Sequence, residues 1–89
     1  MNALSLLAEF LGTFLLVMSI LTTGNALVIG GTLGLLVLLL GGVSGAHLNP
    51  AVSVAMLLKG AMGPMEFFMY SIVQLTGGAA ALYSYQVLA

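Results

Sequence analysis

The sequence predicts an all-α integral membrane fold: three transmembrane helices plus one re-entrant half-helix. Three observations carry that expectation. Of 89 residues, 62% are hydrophobic and only 3% charged, whereas a soluble domain carries about a quarter charged residues. The apolar residues fall into stretches at about residues 4–21, 26–40 and 65–87. Between the second and third stretches stands Asn49-Pro50, followed ten residues later by Lys59-Gly60. Those are the start and stop signals of a helix too short to cross a bilayer.

The first stretch, 4–21, is broken only by Glu9 and small polar residues. Met1 to Ser5 carries no basic segment, and the span is long for a signal peptide, so it is expected to be retained. Thr22-Thr23-Gly24-Asn25 reads as a tight turn at the membrane surface. In the second stretch, Gly30 and Gly34 form a Gly-x-x-x-Gly pair that lets another helix approach closely. Gly41 to Leu48 is poor helix, and an extended, strand-like re-entrant segment is expected there. Asn49 is a favoured N-cap, and Pro50 at the first helical position gives up an N–H that has no partner there anyway. The helix then runs to about Leu58, with Lys59 over its negative end and Gly60 free to turn left-handed. Nine residues span roughly 14 Å, about half of a ~30 Å hydrocarbon core. Gly60 to Pro64 is a turn, and Pro64 and Glu66 suit a new helix N-terminus. The third stretch, 65–87, carries Gly77, Gly78 and three consecutive alanines on which a neighbour can pack. Asn-Pro-Ala occurs once, so residues 1–89 read as one domain without an internal repeat.

Composition excludes several classes of function. The charged side chains are Glu9, Lys59 and Glu66; there is no basic patch, which argues against nucleic acid as a partner. Cysteine is absent, so disulfide and thiol chemistry are out. His47 is the one histidine and lacks the companions a metal site needs; no cofactor is expected. The methionines and Phe67, Phe68, Tyr70, Tyr83 and Tyr85 are read as packing or interfacial residues. Glu9 has two readings, a side chain snorkelling to the headgroups or a buried acceptor for unpaired backbone N–H groups of the re-entrant loop.

The nine residues Ser44-Gly45-Ala46-His47-Leu48-Asn49-Pro50-Ala51-Val52, together with Ala8-Glu9-Phe10 in the first span and Tyr70, Gln74 and Gly77 in the third, resemble the aquaporin (major intrinsic protein) family. The resemblance covers essentially the whole chain but only the N-terminal half of that family's architecture, which has six spans and two such loops. It implies a channel passing water and small neutral solutes such as glycerol, not an enzyme. It implies a pore lined by Gly45, Ala46, His47, Asn49, Pro50 and Ala51, with Glu9 and His47 bracing the loop. If the Asn49 oxygen caps the half-helix, its NH2 group is left to face the lumen. Water-selective members resemble one another in a narrow ring of an aromatic, a His, a small residue and an Arg. By ungapped counting from Asn49, an inverted pair of copies would fill those places with Ile29 of one chain and Val37, Ala46 and Val52 of the other, leaving an apolar constriction without fixed charge.

Irregular backbone at membrane depth must be buried in protein or line a water-filled cavity, and three spans cannot enclose residues 41–48. The family's halves are inverted repeats, so the expected partner is a second copy of the chain in inverted orientation. The pair would form an aquaporin-like six-helix pore, and the family's fourfold grouping implies four dimers, or eight chains. Lys59 is the one Lys or Arg, which gives little bias toward a single orientation and makes dual topology feasible. Two rivals stand beside this reading. One is a non-transporting membrane interaction subunit or degenerate fragment. The other is an intramembrane serine hydrolase, suggested by Gly42-Val43-Ser44-Gly45 with Ser44 as nucleophile.

Overall fold

A computed structural model describes residues 2–89. Four helices follow one another, α1 (Ala3–Thr23), α2 (Ala26–Ser44), α3 (Pro50–Lys59) and α4 (Pro64–Leu88), and no strand occurs among the described residues. Each boundary has a local cause. Asn2 caps α1 in a reciprocal box with Ser5, and the Asn25 side chain accepts from the N–H groups of Leu27 and Val28 to start α2. Gly24 and Gly60, at φ 55° and 86°, end α1 and α3 in the left-handed conformation. Pro64 opens α4 with Glu66 in its first turn.

One boundary differs from the sequence expectation. Residues 41–44 are not extended but form the last turn of α2. The glycines lower helix propensity there, yet three contacts hold the turn. The Gly45 N–H donates to Gly41 O, the Ser44 carbonyl accepts from Tyr70 Oη at 2.7 Å, and Ser44 Oγ donates to Glu9. The irregular stretch therefore shrinks to residues 45–49, and it is not strand-like. Gly45, Ala46 and Leu48 take φ of 87°, 50° and 57°.

Helix α1 packs against both α2 and α4, and α3 docks on α4. The α1–α4 contact is close because Gly77 has no side chain. A Cβ there would come within 2.7 Å of the Phe10 carbonyl oxygen. Gly12 makes room of another kind, since a Cβ at that position would collide with the side chains of Leu48 and Leu40. Gly30 and Gly34, read from the sequence as packing residues, meet no other part of the chain within 4 Å and lie exposed on α2. Their close-packing role is therefore not exercised within one chain.

Helices α1 and α2 are long and apolar enough to cross a membrane. Only 6% of the apolar window of α2 is buried inside the chain, which rules it out as the core helix of a water-soluble fold. Helix α4, at 25 residues, is roughly 37 Å long and has the reach to span, but its polar residues keep it out of that apolar class. The molecule measures 39 × 24 × 20 Å, against ~40–45 Å for a bilayer with its headgroups.

Candidate functional site

The site is built around the carboxyl group of Glu9, on the second turn of α1, where α2, the following loop and α4 meet it and α3 joins through Gln74. Glu9 is fully buried. Its Oε2 accepts from Ser44 Oγ at 2.6 Å and from the His47 backbone N–H at 3.0 Å. Its Oε1 accepts from the Leu48 N–H at 2.8 Å and from Gln74 Nε2 at 2.9 Å. Four donors and no acceptor face the group, which fills the four lone-pair sites of a carboxylate. The carboxylate has no cationic partner among these contacts; hydrogen bonds alone compensate it. Burying a carboxylate in this way is tolerable because charge-assisted hydrogen bonds are roughly twice as strong as neutral ones.

The loop needs that acceptor. Ala46 and Leu48 are non-glycine residues in the left-handed region, a conformation costing of order 1–3 kcal/mol each. Turning the chain this way brings the N–H groups of His47 and Leu48 together onto one carboxylate. Ser44 Oγ adds a third tie by accepting from the Ala46 N–H at 3.1 Å. The Leu48 side chain, 2% exposed, is pinned in the notch left by Gly12. The loop is thus held from the polar side by Glu9 and from the apolar side by α1.

Asn49 emerges from this anchorage as the N-cap of α3. Its Oδ1 accepts from the Ala51 N–H at 2.8 Å, and its carbonyl accepts from Val52 and Ser53. The residue is exposed, and with Oδ1 engaged in the cap its NH2 group remains as a donor. Exposure divides the other sequence-predicted residues. Gly45 and Ala51 are exposed, while Pro50 and His47 are partly so. Ala46 is 7% exposed; it is packed within the chain and leaves little of itself to face a lumen. Of the four constriction positions, Val37 and Val52 are exposed, Ile29 is partly exposed, and Ala46 is the inward exception.

His47 turns its ring inward. Nδ1 lies 2.9 Å from Ser53 Oγ on α3, and the ring tilts against Tyr70 with centroids 5.1 Å apart. That geometry does not pair Ser44 with His47, the pairing a serine hydrolase would use: Ser44 Oγ donates a hydrogen bond to Glu9, and His47 Nδ1 faces Ser53. No cluster of potential metal ligands occurs among the described residues.

Three contributors were not assigned to a site from the residues themselves. Tyr70, read as packing, closes α2 through Ser44. Gln74 joins Glu9 to Ser53, the latter by a second bond of 2.9 Å. Ser53 is fully buried within α3. The available signal was two polar side chains amid apolar neighbours, Ser53 within Val52-Ser53-Val54 and Gln74 within Val73-Gln74-Leu75. In a membrane such residues face protein rather than lipid.

Comparison with known proteins accords with this geometry. The family model described as Major intrinsic protein matches residues 2–88. Aquaporin-3 of Milnesium tardigradum is 39% identical over 103 aligned positions, covering 88% of this chain and 32% of the relative. Glycerol uptake facilitator protein-like 6 of Lactiplantibacillus plantarum is also 39% identical, over 84% of this chain and 39% of the relative. Aquaglyceroporin AqpS of Rhizobium meliloti is 36% identical over 82% of this chain and 38% of its own length. The chain spans about a third of the length of these relatives. No solved structure gives a significant match.

Proposed function

The chain belongs to the major intrinsic protein family, whose members are membrane channels and not enzymes, and from that premise we propose that two inverted copies form a passive channel for water and small neutral solutes. The observation that carries this reading is Asn49. It is an exposed amide at the positive end of a half-length helix, and the loop before it is tied to Glu9 by two backbone N–H groups, while Ser44 and Gln74 fill the rest of the carboxylate. A helix N-terminus is worth about +0.5 charge, and two of them meeting at mid-membrane oppose cations. The free Nδ2 donors orient a passing water with its oxygen toward Asn49.

An inverted partner is favoured because the motif face is left uncovered by the chain itself, as is nearly all of α2. In this assembly α4 is the third span, Lys59 gives little orientation bias, and four such dimers group together. Gly45, His47, Pro50 and Ala51 line the lumen beside Asn49; Ile29, Val37 and Val52 narrow it, with Ala46 behind them. Glycerol is included among the solutes because two of the relatives carry glycerol in their names and the constriction residues are apolar.

Stopped-flow shrinkage of proteoliposomes under water and glycerol gradients tests the activity. Flux of both above protein-free vesicles is expected, and no flux of either returns the chain to a non-transporting subunit. Cross-linking at Pro50 and labelling of the termini test the assembly. Each terminus should be accessible on both faces of the membrane; one orientation for every chain rejects the inverted pair.

A further inference from the structure

We infer that Gln74 and Ser53 are positioning residues that set His47 as its Nε2–H tautomer, so that the loop presents a hydrogen-bond donor on the partly exposed edge of the imidazole. The proton assignment concerns the chain alone, while its consequence for a solute rests on the channel reading. The argument starts at Glu9. Both its oxygens accept a backbone N–H, which can only donate. Beside an ionised carboxylate, which can only accept, the amide of Gln74 turns its NH2 group, not its oxygen, toward Glu9. The same Nε2 donates to Ser53 Oγ, so the Ser53 hydroxyl is already an acceptor and must place its own proton elsewhere.

The acceptors around it are few. A helical serine or threonine commonly donates to the carbonyl three or four residues back, as Ser19, Thr22, Thr23 and Thr76 do here. Ser53 does not; the corresponding carbonyl, Asn49 O, is occupied by the N–H groups of Val52 and Ser53. Gln74 Oε1 is buried and has no partner at all, so the hydroxyl does not donate there either. That leaves His47 Nδ1, 2.9 Å away. With Nδ1 as the acceptor, the neutral ring carries its proton on Nε2.

The opposite tautomer gives Ser53 two donors and no place for its own proton. In a fully buried hydroxyl that leaves an orphan, which a protein interior rarely tolerates. The Nε2 edge lies over the exposed Gly45, where an added Cβ would come within 3.2 Å of it. The donor thus lies next to Gly45 on the same loop that ends in the Asn49 cap. On the channel reading it offers a solute an N–H that selects for hydroxyl and water oxygens.

Solid-state NMR of the lipid-embedded protein labelled with 15N-histidine is decisive on the wild type alone. At neutral pH, Nδ1 should resonate as an unprotonated and Nε2 as a protonated ring nitrogen; a protonated-type Nδ1 overturns the inference. Ser53→Ala should shift the pair toward a mixture of tautomers, and Ser53→Thr, which keeps the hydroxyl, should restore the wild-type pattern. An unaltered spectrum in Ser53→Ala also overturns it, since the relay would then not set the ring. In proteoliposomes, Ser53→Ala should lower water flux on the order of twofold to tenfold, the worth of one hydrogen bond. Unchanged flux with the expected spectra rejects the solute contact while leaving the tautomer assignment in place, and absent wild-type flux instead rejects the channel reading.

Discussion

Replacing Glu9 separates the carboxylate's structural role from its mere presence in a span. In Glu9→Leu, the four donors lose their acceptor together. Ser44 Oγ and Gln74 Nε2 belong to side chains that can rotate toward other partners, but the backbone N–H groups of His47 and Leu48 cannot. Each orphaned buried donor costs about 1–3 kcal/mol, so the two together remove about 2–6 kcal/mol from the folded loop. The left-handed conformations of Ala46 and Leu48 lose the contact that offsets their strain and should relax. Glu9→Gln is milder. Its amide oxygen, placed toward Leu48 and Gln74, keeps two bonds in neutral form, and its NH2 group can donate to Ser44 Oγ. The His47 N–H alone is orphaned, for about 1–3 kcal/mol. Amide hydrogen exchange reads this directly. Protection at His47 and Leu48 should fall in the order wild type, Gln, Leu, with solute flux in proteoliposomes falling in parallel. If Glu9→Leu, which inserts into lipid more readily, kept full protection at both amides, the anchoring argument would be refuted.

Other substitutions probe the packing and the lumen. Gly77→Ala brings a Cβ to 2.7 Å from the Phe10 carbonyl, backbone that cannot swing aside, whereas Gly78→Ala meets nothing nearer than Val17 Cγ2 at 3.9 Å. Thermal unfolding in detergent should show a loss of about 1–3 kcal/mol for the first and little change for the second; equal behaviour contradicts the close α1–α4 approach. Asn49→Asp removes the free amide donors and puts a carboxylate at the centre of the proposed pore, so water flux should fall or cation and proton leak should rise in a pH-dye assay. Unchanged flux with unchanged exclusion removes Asn49 from the lumen. Val52→Arg places an Arg at each mouth of an inverted pair and should reduce glycerol passage more than water passage. A wild type that passes water but rejects both glycerol and urea refutes the apolar constriction.

Much of the helix layout could be read from local chemistry, because helix ends are decided by a few neighbouring residues. Asn49, Pro50, Lys59 and Gly60 bound α3, and Gly24 and Asn25 separate α1 from α2. The failures lie where tertiary contacts decide. Gly41 to Ser44 reads as helix-breaking, yet Tyr70, 26 residues beyond Ser44, holds the turn in place. A single sequence does not say which glycine meets a neighbour. The Gly30–Gly34 pair carries the familiar spacing but faces outward, while Gly12 and Gly77 make the tight contacts. Ser53 and Gln74 are 21 residues apart and become one unit only because α3 docks on α4. For Glu9 the sequence left two alternatives, and the burial of its carboxylate places it with the loop donors rather than the headgroups.

The same contacts bear on how a partner would act. Glu9 lies on α1, Ser44 ends α2, Ser53 lies on α3 and Gln74 on α4, and hydrogen bonds join them all within one chain. The loop is therefore ordered by the chain's own fold, and Asn49 reaches the surface already capped. Association does not then have to supply the ordering entropy of residues 45–49, which would otherwise be charged against the binding free energy. On the channel reading, a partner contributes the opposite wall and the second helix end, but it does not shape the first. A substitution on the exposed face of α2 should accordingly weaken pairing while leaving amide protection at His47 and Leu48 intact. Glu9→Leu should lower protection at both amides whether or not the chains pair. The two classes of variant separate assembly from loop geometry, because the contacts that set each lie on different faces of the chain.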